Sequence, residues 1–464
     1  MAPLMTGVRI PPRALPRRRG DGGVPPESPL EWWFMDPDGA PGRRPVRSRH
    51  TNEQKSIRHV MKIIIVGAGL TGLETALHLI DKGHEPVLVE ALPNACQKAS
   101  YTAAGLIGLP SLPPPAPEAG RIARIRARRT GTEGLLYSSS QAIKHPGFVN
   151  ALAKERRPER IAAKAEIRRE LAHKAAVMLR AEAGALGLDL LESAGSIVIN
   201  PSEGTGSEGG HASKPLGLDA VLPIEPSLMA ATGIESVSFL REATWSVSYY
   251  ARQLKDVLLE KKGVQLLVNR RVVDFIRRDD AIVGVATSQG DVMGDAVVLT
   301  TGPETTELLP EKALFNAPTA PVSRSMLSIE MIGEVTRPRH SVVFEDGRAV
   351  APTQNFLRLM GCWHLGLPEG YDVEAACRAL WQTGIDLFPE SADWHEGRYL
   401  TQSVLACADG MALVGATAWP GLYVNVAGGA HGADLAPVYA ETLANVVSGV
   451  ENPFAEGLSP SRFA

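Results

Sequence analysis

Apolar and polar positions follow a strand, helix, strand pattern where the chain first becomes regular. Residues 63–66 are four consecutive apolar residues and predict a parallel strand that is buried on both faces. Residues 71–82 repeat their apolar positions at helical spacing, and Gly83 ends the helix. A second strand is predicted at 86–90, so this segment is expected to form a right-handed βαβ unit.

Similar patterns continue along the rest of the chain. Helices are predicted over residues 151–184 and 249–262, and a last helix ends at Ser448. Strands are predicted at 195–199, 264–269, 281–287, 296–300, 341–344, 356–360 and 422–426. We expect the strands at 264–269, 281–287 and 296–300 to rejoin the first sheet. The pattern therefore predicts a discontinuous α/β domain that is interrupted by a second domain.

The segment before the first strand differs in composition from the rest of the chain. Residues 1–60 are rich in Pro and Arg and lack apolar periodicity, so we expect a disordered extension with Met61 as the functional start. No apolar segment comes after the basic triplet at 17–19, which disfavours a targeting signal. Of two later segments, the Gly/Ser-rich stretch 201–213 is expected to be a flexible linker and the basic stretch 121–129 a solvated face.

Composition excludes several classes of partner. The net charge is -3 over 464 residues, which leaves no basic surface for nucleic acid and favours a small-molecule partner. The four cysteines show no CxxC spacing, so no metal site is expected. No apolar run reaches the length of about 18 residues that a membrane span needs. We expect a cytoplasmic protein, and a peripheral contact with the inner face of the plasma membrane stays open.

The turn between the first strand and the helix carries a dinucleotide-binding fingerprint. It reads Gly67-Ala68-Gly69-Leu70-Thr71-Gly72, and Glu90 ends the second strand. Gly67 permits a tight turn, Gly69 lets the backbone approach a pyrophosphate at the helix N-terminus, and Gly72 allows close packing of helix on strand. Glu90 is expected to accept hydrogen bonds from the ribose, and its charge disfavours NADP. The fingerprint by itself does not decide between FAD and NAD.

Later segments resemble one family of flavoproteins. The strand and turn Val297-Val298-Leu299-Thr300-Thr301-Gly302 resembles the turn that helps close the flavin site in FAD-dependent amine oxidoreductases. From residue 61 to about residue 453 the chain resembles the D-amino-acid dehydrogenase and glycine/D-amino-acid oxidase family. The segments that carry this resemblance are 99–105 (ASYTAAG), 225–226 (EP), 344–348 (FEDGR), 357–361 (LRLMG), 409–410 (DG), 414–415 (VG) and 422–425 (LYVN).

The resemblance implies a fold and a cofactor site. The fold is a discontinuous Rossmann-type FAD-binding domain of the α/β class, with an α+β substrate domain built on an antiparallel sheet. The FAD-binding domain comprises residues 61–115, 245–310 and 400–453, and the substrate domain comprises residues 116–244 and 311–399. A helix N-terminus after Gly429 and Gly432 is implied to face the flavin ring and to stabilise its reduced anion. The predicted cofactor-binding residues are Gly67, Gly69, Leu70, Thr71, Gly72, Glu90, Ser100, Gly105, Val272, Gly302, Gly429 and Gly432.

Three positions depart from the family pattern. Many members have an Arg-Pro pair shortly before the Asp-Gly, where this chain has Val404-Leu405. The arginine that binds the substrate carboxylate in the family can therefore be missing here. Arg324, Arg358 or Arg398 could replace it, and each could equally be a surface residue or a structural ion-pair partner. Ala103 stands where Asn is usual, and His431 lies out of register with the family's Gly-His-Gly.

The implied reaction is hydride transfer from the Cα of a D-amino acid to flavin N5, followed by hydrolysis of the imine to a 2-oxo acid and ammonia. The predicted catalytic residues are Tyr249, Arg324 and Arg358. Tyr250 is a further candidate, and aromatic packing is the alternative role for both tyrosines. The electron acceptor is a quinone, a respiratory chain or oxygen. Alternatives are an oxidase of glycine, sarcosine or other secondary amines, and a flavin-binding subunit without its own amine chemistry.

Overall fold

The computed structural model of the protein describes residues 60–107, 135–200, 214–240, 242–333, 336–344 and 347–464. Several predicted segments lie outside these ranges. They are residues 1–59 of the N-terminal extension, the basic stretch 121–129, the linker 201–213, and positions 345–346 of the FEDGR segment. The expected disorder of the extension and its basic triplet therefore also lie outside the described residues.

Most strands of the described residues belong to two large sheets. In chain order the strands are β1 Lys62–Val66, β2 Glu85–Val89, β3 Gly105–Ile107, β4 Leu135–Leu136, β5 Ser196–Ile199, β6 Leu216–Gly217, β7 Ser236–Leu240, β8 Ala243–Trp245, β9 Gln265–Leu267, β10 Val272–Arg278, β11 Ala281–Thr287, β12 Gly290–Met293, β13 Ala296–Leu299, β14 Thr319–Glu330, β15 Ser341–Val343, β16 Ala349–Thr353, β17 Phe356–Met360, β18 Trp363–Leu365, β19 Arg398–Cys407, β20 Leu413–Ala416 and β21 Leu422–Val426.

Helices pack against these sheets. In chain order they are α1 Leu70–Asp81, α2 Ala99–Thr102, α3 Ser139–Lys144, α4 Pro146–Glu155, α5 Pro158–Leu186, α6 Leu218–Val221, α7 Val247–Asp256, α8 Thr305–Leu308, α9 Val373–Leu387, α10 Ala436–Val447 and α11 Ala455–Leu458. The predicted helix over 151–184 is two helices, because the residue before Pro158 is forced out of helical geometry. Among the described helices, none combines the length and the apolar character needed to cross a lipid bilayer.

The six-stranded sheet has the order β20-β21-β13-β1-β2-β9. All its pairings are parallel except that of β20 with β21. Its strands come from three separate stretches of the chain, and β1 is apolar throughout its buried part because helices cover one face and a second apolar cluster covers the other. The strand at 281–287 does not rejoin this sheet as expected. It pairs with β10 and β12 in a separate antiparallel meander.

The second large sheet has ten strands and is mostly antiparallel. Its longest strand, β14, pairs with β17, β18 and β19. Residues 400–407, which were assigned to the cofactor domain, lie in β19 and therefore belong to this sheet. The chain therefore leaves the ten-stranded sheet for the last time after Cys407, and not at residue 400, because β19 stays paired with β14 over its whole length. The two sheets confirm the predicted fold class.

A buried ion pair fixes the end of the chain to the turn after β19. Asp409 is 2 % exposed, and its Oδ2 accepts a hydrogen bond of 3.0 Å from Arg462 Nε. Burial raises the pKa of Asp409, but the charge and hydrogen bond of Arg462, together with Lys164 and Cys407, outweigh this and lower it overall. The pair therefore stabilises the fold above the usual Asp pKa of about 3.9, and this stability is lost as the pH falls through the lowered pKa of the folded state.

Replacing Arg462 by methionine is expected to destabilise the protein by about 3 kcal/mol at neutral pH, because a buried carboxylate loses its main cation. The deficit should shrink as the pH falls below about 4, through the lowered pKa of Asp409, because protonated Asp409 needs no cation. Urea unfolding at several pH values measures this. Arg378→Met is the matched control, since Arg378 forms an exposed helical pair with Glu374 that is worth about 0.3–0.5 kcal/mol. Equal costs for the two variants would contradict the prediction.

Candidate functional site

The glycine turn after β1 leaves no space for larger residues. Gly67 has φ +104°, a conformation that favours glycine, and its N–H donates to Val89 O at 2.9 Å. A Cβ on Gly72 would lie 2.0 Å from Gly67 O. Thr300 Oγ1 donates to Val66 O at 3.0 Å and to Gly67 O at 2.9 Å, which ties the turn to the end of β13. The turn is thus held closed by a neighbouring strand.

Helix α1 begins at this turn without a side-chain cap. Gly69 is its N-cap residue and offers no side chain, and no acidic residue occupies the first turn. The Leu70 N–H donates to Ser100 Oγ at 2.9 Å. An uncapped helix N-terminus with a hydroxyl beside it attracts a phosphate through the amide groups and the helix dipole.

The carboxylate of Glu90 is fixed beside the same turn. One oxygen accepts from Ala68 N and the other from Leu92 N, each at 2.9 Å. These two bonds hold the side chain against the glycine turn, and each carboxylate oxygen retains a lone pair for a further donor such as a ribose hydroxyl. The role of Glu90 towards a ribose stays a prediction.

A cavity of about 450 Å³ opens at the carboxyl edge of the six-stranded sheet. The ends of β1, β2, β13 and β21 all contribute to its wall. Parallel sheets bind ligands at this edge, where the loops after the strands converge. The predicted residues that line the cavity are Gly67, Gly69, Leu70, Thr71, Glu90, Ser100, Val272, Gly302, Arg324, Gly429 and Gly432.

Four predicted residues do not line the cavity. Gly72 packs under the turn instead. Gly105 lies against the indole of Trp245, and a Cβ at this position would lie 1.8 Å from Trp245 Nε1. Tyr249 is half-buried, with its ring 5.9 Å from the Arg252 guanidinium. Arg358 donates to the backbone oxygen of Tyr101 at 2.7 Å. Tyr249 and Arg358 therefore lie outside the lining of the cavity, and their catalytic role stays a prediction.

The other candidate side chains are also absent from the lining of the cavity. Tyr250 is fully buried and packs edge-on against Trp245, which is the packing role that the sequence left open. Arg398 is exposed at the start of β19. His431 lies near the cavity, and its Nδ1 is 3.4 Å from Asp434 Oδ2.

Arg324 is the candidate arginine that lines the cavity. It is 8 % exposed, and its Nε donates to Gln402 Oε1 at 2.7 Å. This contact results from the register of β14 and β19, which places the two residues opposite each other. The guanidinium lies 4.5 Å from the Trp363 ring. Burial lowers the pKa of Arg324 to about 10, while Asp434 acts in the opposite direction.

The loop after β21 completes the wall. Ala427 and Gly429 both have φ +59°, and a Cβ on Gly428 would lie 2.7 Å from Gly432 Cα, so the loop turns back on itself. Helix α10 begins only at Ala436, a few residues later than the sequence indicated, with a short 3-10 turn at Gly429–His431 before it.

Other cavity residues carried no recognisable signal in the sequence. Lys98 and Glu304 form an ion pair, and both line the cavity. Burial raises the pKa of Glu304, but Lys98, together with a backbone hydrogen bond and the charge of Arg271, outweighs this and lowers it overall. Gln402 was not found because the strand that carries it has no regular apolar alternation.

Comparisons with known proteins agree with this geometry. The model of the FAD dependent oxidoreductase family (DAO) matches residues 62–446, and the chain belongs to this family. A D-amino acid dehydrogenase of Vibrio cholerae is 23 % identical over 87 % of this chain and 99 % of its own length. A glycine oxidase of Pseudomonas aeruginosa is 29 % identical over 43 % of this chain and 55 % of its own. The structure of glycine oxidase from Geobacillus kaustophilus has a TM-score of 0.63 at 18 % identity, covering 87 % of this chain and 99 % of its own.

The protein is therefore an FAD-dependent oxidoreductase, which confirms the cofactor and the family expected from the sequence. The residues present fit the cofactor. The helix N-terminus without a side-chain cap suits the pyrophosphate, the fixed carboxylate of Glu90 suits the ribose, and the glycine turn between them leaves no space for side chains. The contribution of each predicted residue to FAD binding stays a prediction.

Proposed function

We propose that the protein oxidises the Cα–N bond of D-amino acids and yields the 2-oxo acid and ammonia after hydrolysis of the imine. The observation that carries this proposal is a buried arginine in the wall of the FAD cavity. Arg324 Nε donates to Gln402, and no described residue accepts a hydrogen bond from the two terminal nitrogens of Arg324. Its guanidinium can therefore bind a carboxylate in two-pronged geometry.

The cavity wall supplies binding and orientation, and FAD when bound accepts the hydride at N5. Gln402 and the Trp363 ring fix the plane of the Arg324 guanidinium, so the substrate carboxylate is held in one orientation. Val404 and Leu405, where many family members have Arg-Pro, add apolar surface to the cavity wall. Binding the carboxylate at a fixed point places Cα at a fixed distance from it, which is the contribution that orientation makes to the rate.

The preference for the D enantiomer has narrower support. It rests on the full-length similarity to the D-amino acid dehydrogenase of Vibrio cholerae. The identity of the electron acceptor, a cytoplasmic location and a contact with the plasma membrane stay predictions.

Steady-state turnover with an artificial electron acceptor tests the proposal. Matched D and L enantiomers, glycine, sarcosine and an amine without a carboxylate should be compared. We expect equimolar 2-oxo acid and ammonia from D-amino acids and little turnover of the decarboxylated amine. Turnover of L enantiomers alone would overturn the stereochemical part, and equal turnover of the amine would overturn the role of Arg324.

An oxidase of glycine, sarcosine or other secondary amines is the second candidate. It is supported by the similarity of part of the chain to the glycine oxidase of Pseudomonas aeruginosa. Rapid peroxide formation from glycine or sarcosine in air, without an added acceptor, would favour it over the dehydrogenase.

A further inference from the structure

A group of buried polar side chains lies behind helix α1, away from the cofactor cavity. Glu74 and His78 are four residues apart on α1 and therefore share one face of it. Glu182 comes from α5, and its Oε1 lies 3.0 Å from His78 Nε2. One ligand atom from each of the three side chains lies within 4.8 Å of the other two. We call these three residues the α1–α5 cluster.

The protein neighbours of the cluster satisfy its charge only in part. Glu74 is 0 % exposed, and neither of its carboxylate oxygens makes a well-formed hydrogen bond, although the Tyr250 hydroxyl and Glu182 lie close enough to influence it. Despite its short distance to Glu182, His78 Nε2 makes no hydrogen bond, and neither do Glu182 Oε2 and the buried hydroxyl of Tyr250. Leaving a charged carboxylate buried without partners is strongly unfavourable, so the native fold requires either a compensating cation or a proton there.

We propose that the α1–α5 cluster binds a zinc-type divalent metal ion through Glu74, His78 and Glu182. Imidazole nitrogen and carboxylate oxygen are donors that Zn²⁺ accepts, usually in a four-coordinate shell. Three convergent side chains leave one position for water or for the Tyr250 hydroxyl. Two carboxylates neutralise the ion, while the ion provides the partner that their oxygens lack.

The alternative is a metal-free pair of glutamates that shares a proton. The convergence of a third, imidazole donor on the same point favours the metal. The cysteine pattern predicted no metal site, and it could not indicate this one because the donors are carboxylates and an imidazole on two helices distant in sequence.

The proposed ion would join α1, whose N-terminus lies at the FAD cavity, to α5. It makes no contact with the cavity wall and takes no part in amine oxidation. Its test is therefore independent of the proposed function.

Metal content of the FAD-loaded protein tests the proposal. After chelator treatment and equilibrium dialysis against Zn²⁺, we expect about one zinc ion per chain by mass spectrometry. His78→Gln and Glu182→Gln should weaken binding by at least about 100-fold, since even the loss of an outer-sphere partner costs about 10–100-fold. His173→Gln and Glu170→Gln, which change exposed residues of the same helix α5, should bind zinc as the original protein does.

Thermal unfolding of Glu74→Gln distinguishes the two models, because they predict opposite changes in melting temperature. If the cluster holds zinc, this variant loses the zinc-dependent rise in melting temperature and unfolds below the zinc-loaded original protein. If the cluster is a proton-sharing pair, the variant is as stable as the original or more stable, because it removes a buried charge. The second result, an original protein that retains no zinc, or equal binding by all variants would overturn the proposal.

Discussion

Gly72→Ala is expected to abolish detectable FAD binding, with affinity lowered at least about 100-fold, or about 2.7 kcal/mol. The new Cβ would lie 2.0 Å from Gly67 O and 2.9 Å from Thr300 Oγ1, so the turn and the strand that holds it must both move. The amide groups at the start of α1 then lose the position that a pyrophosphate requires. Titration of the apoprotein with FAD measures the change.

Gly147→Ala is the matched control for this substitution. Gly147 lies in helix α4, and a Cβ there meets nothing within 4 Å. The same added methyl group should leave FAD affinity unchanged and stabilise the helix by about 0.5–1 kcal/mol. Retention of FAD by Gly72→Ala at the original affinity would show that the turn does not carry the cofactor.

Arg324→Met is expected to lower kcat/KM for amino acids by about 10³-fold. Removing the partner of a buried charge pair costs about 2–5 kcal/mol, and each 1.4 kcal/mol corresponds to about tenfold. Arg324→Lys keeps the charge but not the planar fork, so we expect an intermediate loss. Turnover of an amine without a carboxylate should change little, which distinguishes lost carboxylate binding from general damage.

Arg398→Met is the control for Arg324. Arg398 is exposed at the start of β19, the strand that pairs with β14, and its replacement should alter kcat/KM less than about twofold, as expected for an exposed charge. An equal loss of kcat/KM for the amine and for the amino acid in Arg324→Met would contradict the assigned role.

The cofactor half of the site could be predicted because its signals are local. The apolar run of β1, the glycines of the turn and Glu90 after β2 lie within one short segment, and each constrains its own backbone. Parallel strands buried on both faces are uniformly apolar, so they stand out in the sequence.

The substrate half was less visible because its signals are distant in sequence. Strand β14 buries Ser323, Arg324 and Ser325 in succession, so it shows no alternation of apolar and polar residues. The pairing of Arg324 with Gln402 joins residues 78 apart and depends on strand register. Tyr249 was predicted from its residue type, but the orientation of α7 buries its neighbour Tyr250 and leaves Tyr249 beside Arg252.

Anaerobic mixing of the FAD-loaded protein with an amino acid decides whether this chain oxidises amines by itself. We expect D-amino acids to bleach the visible absorption of the bound flavin in a single turnover, and Arg324→Met to bleach far more slowly at the same FAD content. A protein that carries stoichiometric FAD and is bleached by no α-amino acid, unless a partner chain is added, would contradict the proposed activity and identify a flavin-binding subunit without its own amine chemistry.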